Sequence, residues 1–440
     1  MSISSILFLL LLLAAIGLFA KNVMRIGRNI HLGLPEQRND RKGERWATMA
    51  RVALGQSKMV VRPVPGILHV LVYAGFVIIN IEVLEIVIDG IFGTHRVFAF
   101  LGGFYDFLIA SFEILALLVL VACVIFLIRR EVLRVKRFWN KEMDGWPRSD
   151  ATLILVMEIL LMGAFLKMNA TDQVLAQRGV EHYIAAGSYP VSTWLRPFFT
   201  GYSDGALILF ERSFWWFHIV GIFAFLNYLP YSKHLHIVLA FPNTWYSKLK
   251  PKTEIANMQR VEGEVKSMMD PSVPPPDPAP RTVAGVEMQE RFGAKDIFDL
   301  SWKSLMDAYS CTECGRCTSE CPANLTGKLL SPRKIMMDTR DRVEEVGKVI
   351  DAKGKWEDDG KSLHSYITDE ELWACTTCNA CTQACPVNID PVNIIVEMRR
   401  YLVMEESKTR PALTGMFNNV ENNGAPWAFG PDKRMEWTES

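Results

Sequence analysis

Residues 311–322 read CTECGRCTSECP, and residues 375–386 read CTTCNACTQACP. Both stretches have the spacing Cys-x2-Cys-x2-Cys-x3-Cys-Pro. Four closely spaced thiols followed by a proline are the ligand pattern of protein-bound [4Fe-4S] clusters. Because an accidental double match to this spacing is rare, the chain is predicted to hold two such clusters and to move electrons.

The segments after the two cysteine runs predict a helical domain. Each run is followed by a further proline that opens an amphipathic stretch, 332–348 or 391–404. The segment between the runs is too long for a compact β-ferredoxin, so we expect the α-helical ferredoxin type. In two-cluster ferredoxins the fourth cysteine of each run ligates the other cluster. The expected ligand sets are Cys311, Cys314, Cys317 and Cys385 for cluster 1, and Cys375, Cys378, Cys381 and Cys321 for cluster 2.

The composition separates this domain from the rest of the chain. The 440 residues have a formal net charge of zero, which gives no reason to expect a nucleic-acid partner. Half of the residues are hydrophobic, and they concentrate before residue 232. The close cysteine spacing fits metal ligation by reduced thiolates and places the cluster domain in the cytoplasm. Cys123 stands alone in an apolar run and is expected to be a small buried residue.

Five apolar runs predict a transmembrane bundle. Each is about long enough to cross a ~30 Å hydrocarbon core. The first lacks basic residues before it and is interpreted as an uncleaved anchor with its N-terminus outside. The runs are 3–20, 64–88, 104–128, 151–168 and 205–229.

Loop charges predict the orientation of this bundle. Segments 21–63 and 129–150 contain ten and seven Lys and Arg residues, against one in 89–103 and two in 169–204. Basic loops remain on the cytoplasmic side, so the first two segments are predicted to be cytoplasmic. With five spans, everything after residue 230 is then cytoplasmic, in agreement with the cysteine argument.

Histidines in the apolar half are candidate haem ligands, because a polar residue in a membrane span is costly without a function. His218 and His236 are eighteen residues apart, which is five turns of one extended fifth helix. His69 lies near the start of the second helix and can meet His236 at the same depth, so this pair is expected to clamp one haem iron. His234 is a rival to His236. The alternative is that these histidines only make polar contacts between helices.

The stretch from Phe217 to Ile237 resembles the fifth helix of the cytochrome b (gamma) subunit of respiratory nitrate reductases. In that family two histidines of this helix bind haem, paired with two on the second helix. His69 matches the first of those partners, whereas Ile79 stands where the second would be. The resemblance therefore implies one haem b on His69 and His236, and a second haem at His218 only if another partner replaces the missing histidine.

The order of modules resembles the membrane iron–sulfur oxidoreductases related to heterodisulfide reductase. Supporting stretches are RPVPGILH at 62–69 and AYSCTECGRC at 308–317. Longer members continue into domains with a Cys-Cys-Gly (CCG) motif, which this sequence lacks. We therefore expect a split form with a separate CCG-domain iron–sulfur subunit as partner. The expected domains are the cytochrome b bundle at 1–250, a Pro-rich linker at 251–295, the ferredoxin domain at 296–405, and a tail at 406–440 that docks a partner.

These observations predict an all-α protein with a five-helix transmembrane bundle and a cytoplasmic α-helical ferredoxin-type domain. We expect a subunit of a quinone-linked oxidoreductase in the bacterial inner (plasma) membrane, with no catalytic residues of its own. Its role is to pass electrons between a cytoplasmic donor, such as an electron-transferring flavoprotein, and menaquinone as substrate. The alternatives are a haem-free membrane anchor for a ferredoxin module and a subunit of a heterodisulfide or thiol reductase.

Overall fold

The computed structural model describes residues 2–276 and 280–439. The expected all-α architecture is confirmed, with one short β-hairpin among the described residues. The first eight helices are α1 (Ile3–Ile30), α2 (Lys42–Met49), α3 (Pro63–Phe92), α4 (Gly103–Leu127), α5 (Trp146–Gln177), α6 (Asp204–Tyr228), α7 (His236–Trp245) and α8 (Gln259–Met269).

The second part of the chain begins with the hairpin, and its helices are shorter. The antiparallel strands are β1 (Arg281–Val283) and β2 (Val286–Met288). The remaining helices are α9 (Trp302–Tyr309), α10 (Arg316–Ser319), α11 (Pro322–Leu325), α12 (Pro332–Lys353), α13 (Asp369–Ala374), α14 (Ala380–Ala384), α15 (Pro391–Met404) and α16 (Pro411–Asn423).

Helices α1, α3, α4, α5 and α6 are the five apolar helices that the sequence predicts. Each is long and apolar enough to cross a membrane. Helices α1 and α5 extend well beyond the predicted runs because their polar ends remain helical: α1 continues to Ile30, and α5 already begins at Trp146. Helices α4 and α6 match the predicted runs to within one residue at each end. Neighbouring helices pack in the order α3, α4, α5 and α6, and α1 packs against both α3 and α6. The lone cysteine, Cys123, is buried in this bundle as expected.

The fifth apolar helix does not continue to His236, so the expectation of one extended helix with His218 and His236 on the same face is wrong. Helix α6 ends at Tyr228, two single 3-10 turns follow, and His236 begins α7. Pro230 lacks a backbone donor, which weakens the helix at this point. Ser232 then has an extended backbone (φ −118°, ψ 154°), which ends the helical path.

The cluster half of the chain has its own core, formed mainly by α9, α12 and α15. The apolar positions of the two amphipathic stretches point into it, including Ile335, Val343 and Ile394, all fully buried. Part of the expected linker is folded onto this core, because Val283 of β1 is buried in it. The proline-rich stretch lies at 271–280, and its residues 277–279 fall outside the described residues.

The cluster half is in direct contact with one end of the bundle. Helix α1 extends beyond the bundle, and Asn29 Nδ2 donates to Tyr309 Oη at 2.9 Å. Asn29 also lies against Gly347, where an added Cβ would be 2.5 Å from Nδ2, so the close approach requires glycine. The backbone of Leu34 donates to the Leu300 carbonyl at 2.7 Å. The linker is therefore not the only connection between the two halves.

A buried polar network holds the opposite end of the bundle together. The Arg96 guanidinium is within 3.2 Å of Glu82 Oε1 and 3.0 Å of Asp172 Oδ2, and it donates to Asn169 Oδ1 at 2.7 Å. Asn169 Nδ2 in turn donates to Glu113 at 3.1 Å. Glu82, Glu113 and Asp172 are therefore each held by a partner on a neighbouring segment.

We expect Arg96→Gln to lower the free energy of unfolding by about 3–5 kcal/mol, because Glu82 and Asp172 would remain buried without their cation. Thermal unfolding in detergent micelles measures this. The control is Lys250→Gln, which removes an exposed pair with Glu254 (2.6 Å) and should cost less than about 1 kcal/mol. Equal stability of the two variants would contradict the structural role of the network.

Candidate metal centres

The first cysteine run is shaped by a left-handed residue between two of its thiols. Cys311 follows α9, and Gly315, with φ +70°, precedes α10, which carries Cys317. A Cβ at Gly315 would lie 2.6 Å from Arg333 Nη1, so glycine is required by both its backbone angle and its surroundings. Cys321 caps α11, whose first residue is a proline.

The second run repeats this backbone. Asn379 takes the place of Gly315, with φ +58°, and precedes α14, which carries Cys381. Asparagine tolerates the left-handed region better than most residues with a side chain. Thr377 and Glu313 also correspond, with φ +53° and +52°. The internal repeat of the sequence is therefore a structural repeat.

The thiols of the two runs approach one another. Cys385 of the second run lies in one small cavity with the first three thiols of the first run, and Cys381 also reaches it. In the second run, Cys375 lies close enough to Cys321 and Cys378 for their charges to raise the pKa of its thiol, in addition to the effect of burial. Among the described residues, no three His, Cys, Asp or Glu side chains are close enough together to bind a single metal ion. The wider spacing of the thiols fits a cluster, whose iron atoms are each bound by a different cysteine.

The donor set fits iron–sulfur clusters chemically as well. Burial raises the pKa of the Cys311 and Cys381 thiols to about 12. Both thiols would be neutral at ordinary pH, and a bound metal is what makes a buried cysteine a thiolate. Backbone N–H groups face two of the sulfurs: Thr377 donates to Cys375 Sγ at 3.4 Å, and Ile389 donates to Cys385 Sγ at 3.3 Å.

The two predicted sets differ in the exposure of one cysteine. Cys378 is exposed, whereas Cys311 and Cys385 are buried. Cys321 and Cys381 of the set that contains Cys378 are also buried, so Cys378 is the point at which that set reaches the protein surface.

His69 and His236 face each other in a cavity of about 260 Å³ between the bundle and the cluster half. Their ring centroids are 6.3 Å apart. A metal lies about 2 Å from a ligating imidazole nitrogen, so two imidazoles on opposite sides of one iron have ring centres roughly 6 Å apart. His69 Nδ1 is buried without a hydrogen-bond partner, and His236 Nδ1 is 3.1 Å from the Lys233 carbonyl, which leaves Nε2 free. The separation of the two rings would suit the two residues as ligands of one haem iron.

The other two candidate histidines have different surroundings. His234 lines the same cavity, with its ring 5.3 Å from that of His236, because the break after α6 turns both residues inward. His218 is buried in the bundle, where Nδ1 is 3.0 Å from the Leu161 carbonyl and the ring contacts Phe165. Ile79 is buried too, and no described histidine ring contacts that of His218.

The cavity joins the histidines to the first cluster set. Its wall includes Cys314, Arg316 and Val387 from the cluster half. Two contacts that the sequence analysis missed hold this wall. Lys58 Nζ donates to the Cys385 carbonyl at 3.1 Å, and Arg316 donates to the Lys58 carbonyl at 2.8 Å. These partners are more than 250 residues apart in the sequence, so no local pattern indicates them.

Glu313 is the central charged group of this contact. It is 4% exposed, and its carboxylate is 2.6 Å from Lys233 Nζ and 2.7 Å from Arg340 Nη1. Burial opposes its charge, but the two cations outweigh burial and lower the pKa of Glu313. Lys233 belongs to the segment between α6 and α7, so Glu313 fixes that segment beside Cys314.

Five helices able to span a membrane, joined to a domain with two cysteine runs, define a membrane protein with an iron–sulfur electron-transfer domain. Residues 310–389 match the family described as 4Fe-4S dicluster domain, so the chain carries [4Fe-4S] clusters.

Curated relatives identify the wider group. The chain is 27% identical, over 99% of its length, to the probable iron-sulfur-binding oxidoreductase FadF of Bacillus subtilis, and covers 61% of that protein. It is 27% identical, over 91% of its length, to the EtfAB:quinone oxidoreductase of Syntrophomonas wolfei, and covers 55% of it. It is also 34% identical, over 26% of its length, to one component of the ferredoxin/F(420)H(2)-dependent CoB-CoM heterodisulfide reductase of Methanosarcina acetivorans, and covers 56% of that component.

These relatives confirm the resemblance to iron–sulfur oxidoreductases related to heterodisulfide reductase. The chain spans less than two thirds of the length of the first two. No solved structure matches it significantly.

We expect Glu313→Gln to loosen the contact between the two halves, because Lys233 and Arg340 would lose their shared anion. The free energy of unfolding should fall by about 3–5 kcal/mol, measured by thermal unfolding of the cluster-loaded protein. The matched control is Glu320→Gln. Glu320 also joins the halves, through Arg62 at 2.8 Å, but it is half-exposed and should cost less than about 1 kcal/mol. A Glu313 variant no weaker than this control would refute the central role of Glu313.

Proposed function

We propose that the chain is the membrane electron-transfer subunit of a quinone-linked oxidoreductase. In this proposal it passes electrons between a cytoplasmic donor and menaquinone through two [4Fe-4S] clusters and haem b. The clusters and the haem supply one-electron chemistry when bound. The observation that supports the proposal most is the shared cavity, whose wall contains both His69 and His236 and the cluster ligand candidate Cys314.

The order of the proposed centres follows from the positions of their ligands. Cys311, Cys314, Cys317 and Cys385 would hold the cluster beside the histidine cavity. Cys375, Cys378, Cys381 and Cys321 would hold the other cluster, and the exposure of Cys378 favours electron exchange with a partner at that surface. His69 and His236 would hold the haem. Among the described residues, no histidine ring contacts that of His218. A second haem at His218 would therefore need a different kind of second ligand.

The orientation and membrane are part of the proposal. The excess of Lys and Arg in segments 21–63 and 129–150 supports a cytoplasmic cluster domain and an outward N-terminus. We assign the protein to the inner membrane of a bacterium, with the lipid bilayer around α1 and α3–α6.

The proposed donor is a protein. The name of the Syntrophomonas wolfei relative supports an electron-transferring flavoprotein as donor. In our proposal this donor acts directly or through a separate CCG-domain iron–sulfur subunit. The segment 406–440 is the proposed docking region, and α16 within it has no buried residue. Disulfide reduction is the second candidate function, supported by the relative that belongs to a heterodisulfide reductase.

The function is tested with the purified complex in detergent or vesicles. The proposal expects dithionite-reduced complex to reduce a menaquinone analogue, and the corresponding quinol to reduce the haem. If neither reaction occurs in protein that retains its clusters, the proposal is wrong. Disulfide reduction without quinone reduction would favour the second candidate.

The crossing ligands are tested by four serine variants. We expect the electron paramagnetic resonance (EPR) spectrum of reduced Cys385→Ser to match that of Cys311→Ser, because both would perturb cluster 1. The spectrum of Cys321→Ser should match that of Cys375→Ser. A Cys385→Ser spectrum that matches Cys375→Ser would show that each run serves a single cluster.

The haem ligands are tested by the reduced-minus-oxidised visible spectrum, with haem quantified per polypeptide. We expect one haem b in the native chain and none after His69→Ala or His236→Ala. His234→Ala and His218→Ala are the matched controls and should retain it. Two haems in the native chain, one of them lost in His218→Ala, would establish the second site. Protein with intact clusters and no haem would be the haem-free anchor.

A further inference from the structure

The cavity between the bundle and the cluster half is lined by more cationic than anionic side chains. Four guanidinium groups line it, and none forms an ion pair with a carboxylate among the described residues. The acidic residue of the cavity wall, Glu313, is already held by Lys233 and Arg340. The four cations are Arg129, Arg130, Arg137 and Arg316.

Two of these guanidinium groups, those of Arg130 and Arg137, have a buried nitrogen without a hydrogen-bond partner. This nitrogen is Nε in both residues, and Arg130 is 8% exposed. Burial, and then the charge of Arg62, lowers the pKa of Arg137 to about 10. Buried charges are normally paired. An uncompensated cationic wall therefore indicates that an anionic ligand belongs in the cavity.

The remaining walls define the shape and polarity of that ligand. Apolar side chains of α4 and α5, among them Phe126, Ile154 and Leu155, line the cavity on the membrane side. The guanidinium groups of Arg130 and Arg137 each lie 4.8 Å from the centre of the Phe138 ring. The cavity thus has an apolar part lined by α4 and α5 and a cationic edge where the bundle meets the cluster half.

We propose that this cationic edge binds the two propionate carboxylates of a haem, with Arg129, Arg130 and Arg137 as positioning residues. The inference rests on the proposed function, since it requires haem at His69 and His236. The apolar walls accept the macrocycle, and the guanidinium groups bind the carboxylates, for which their planar fork is well suited. The propionates would then face the wall that contains Cys314.

A rival role for the same cations is compensation of the negative cluster beside Cys314. Arg316 is the nearest candidate for that role, because it precedes Cys317 directly and donates to the carbonyls of Lys58 and Met59. Arg129 and Arg137 belong to the bundle side of the cavity. Arg137 also packs against Gly315, next to Cys314, so the two roles are separated by measuring both porphyrin binding and the cluster potential in variants of Arg129 and Arg137.

The test compares iron protoporphyrin IX with its dimethyl ester, which lacks both carboxylate charges. Full-length protein is produced without haem and titrated with each porphyrin, and binding is followed by the visible spectrum. The native chain should bind the free acid at least about tenfold more tightly than the ester, because hydrogen bonds to charged groups are strong. This comparison does not depend on any variant folding correctly.

Variants then assign the preference to residues. Arg129→Gln and Arg137→Gln should each reduce the preference for the free acid by about tenfold. Arg134→Gln is the control: it lies in the same loop but is exposed, with its guanidinium over Trp139. It should leave the preference unchanged.

Four outcomes decide the inference. A native preference that falls only in the two cavity variants supports it. Equal binding of acid and ester by the native chain overturns it while the proposed haem site stands. A shift of the cluster midpoint potential in these variants, with the porphyrin preference intact, assigns the cations to the cluster instead. Native protein that binds neither porphyrin removes the haem from the proposed function and the inference with it.

Discussion

The structure depends on the contact between the cluster half and one end of the bundle, and Glu313 lies at its centre. A buried carboxylate is stable only if its charge is compensated, and here the two cations come from different halves of the chain, Lys233 and Arg340. Backbone carbonyls complete the contact: Lys58 binds the turn after Cys381, and Arg316 binds the turn before α3. The shared cavity is lined by both halves and therefore requires these segments to remain together.

Patterns that are local in the sequence predicted most of the fold. The five spans follow from hydropathy, and α12 and α15 begin at the prolines that the sequence marks as helix starts. The cysteine spacing predicted the cluster domain because it encodes backbone geometry, down to left-handed residues at Gly315 and Asn379. The break before His236 was not predicted, since one proline in a strongly helical context can either bend or end a helix.

The contacts that could not be predicted join residues distant in the sequence. The count of Lys and Arg in the loops predicted on which side of the membrane Arg96 and Arg137 lie, but it predicted no binding partner for either residue. Arg96 compensates carboxylates on two other helices, whereas Arg137 has no carboxylate partner among the described residues. A charge count treats these two arginines alike, and only the packing of helices distinguishes a structural cation from one that lacks its anion. The pairing of His69 with His236 was predictable in outline because both lie at the same end of antiparallel helices.

The two-sided wall of the histidine cavity has a thermodynamic consequence. His69 belongs to a membrane helix and Cys314 to the cluster half, so any molecule that fills the space contacts both at once. The free energy of binding that molecule then also favours association of the two halves, so an occupied cavity stabilises the assembled form by mass action. The reverse also holds, since separation of the halves weakens retention of the ligand. Occupancy of this cavity and association of the two halves are therefore coupled equilibria.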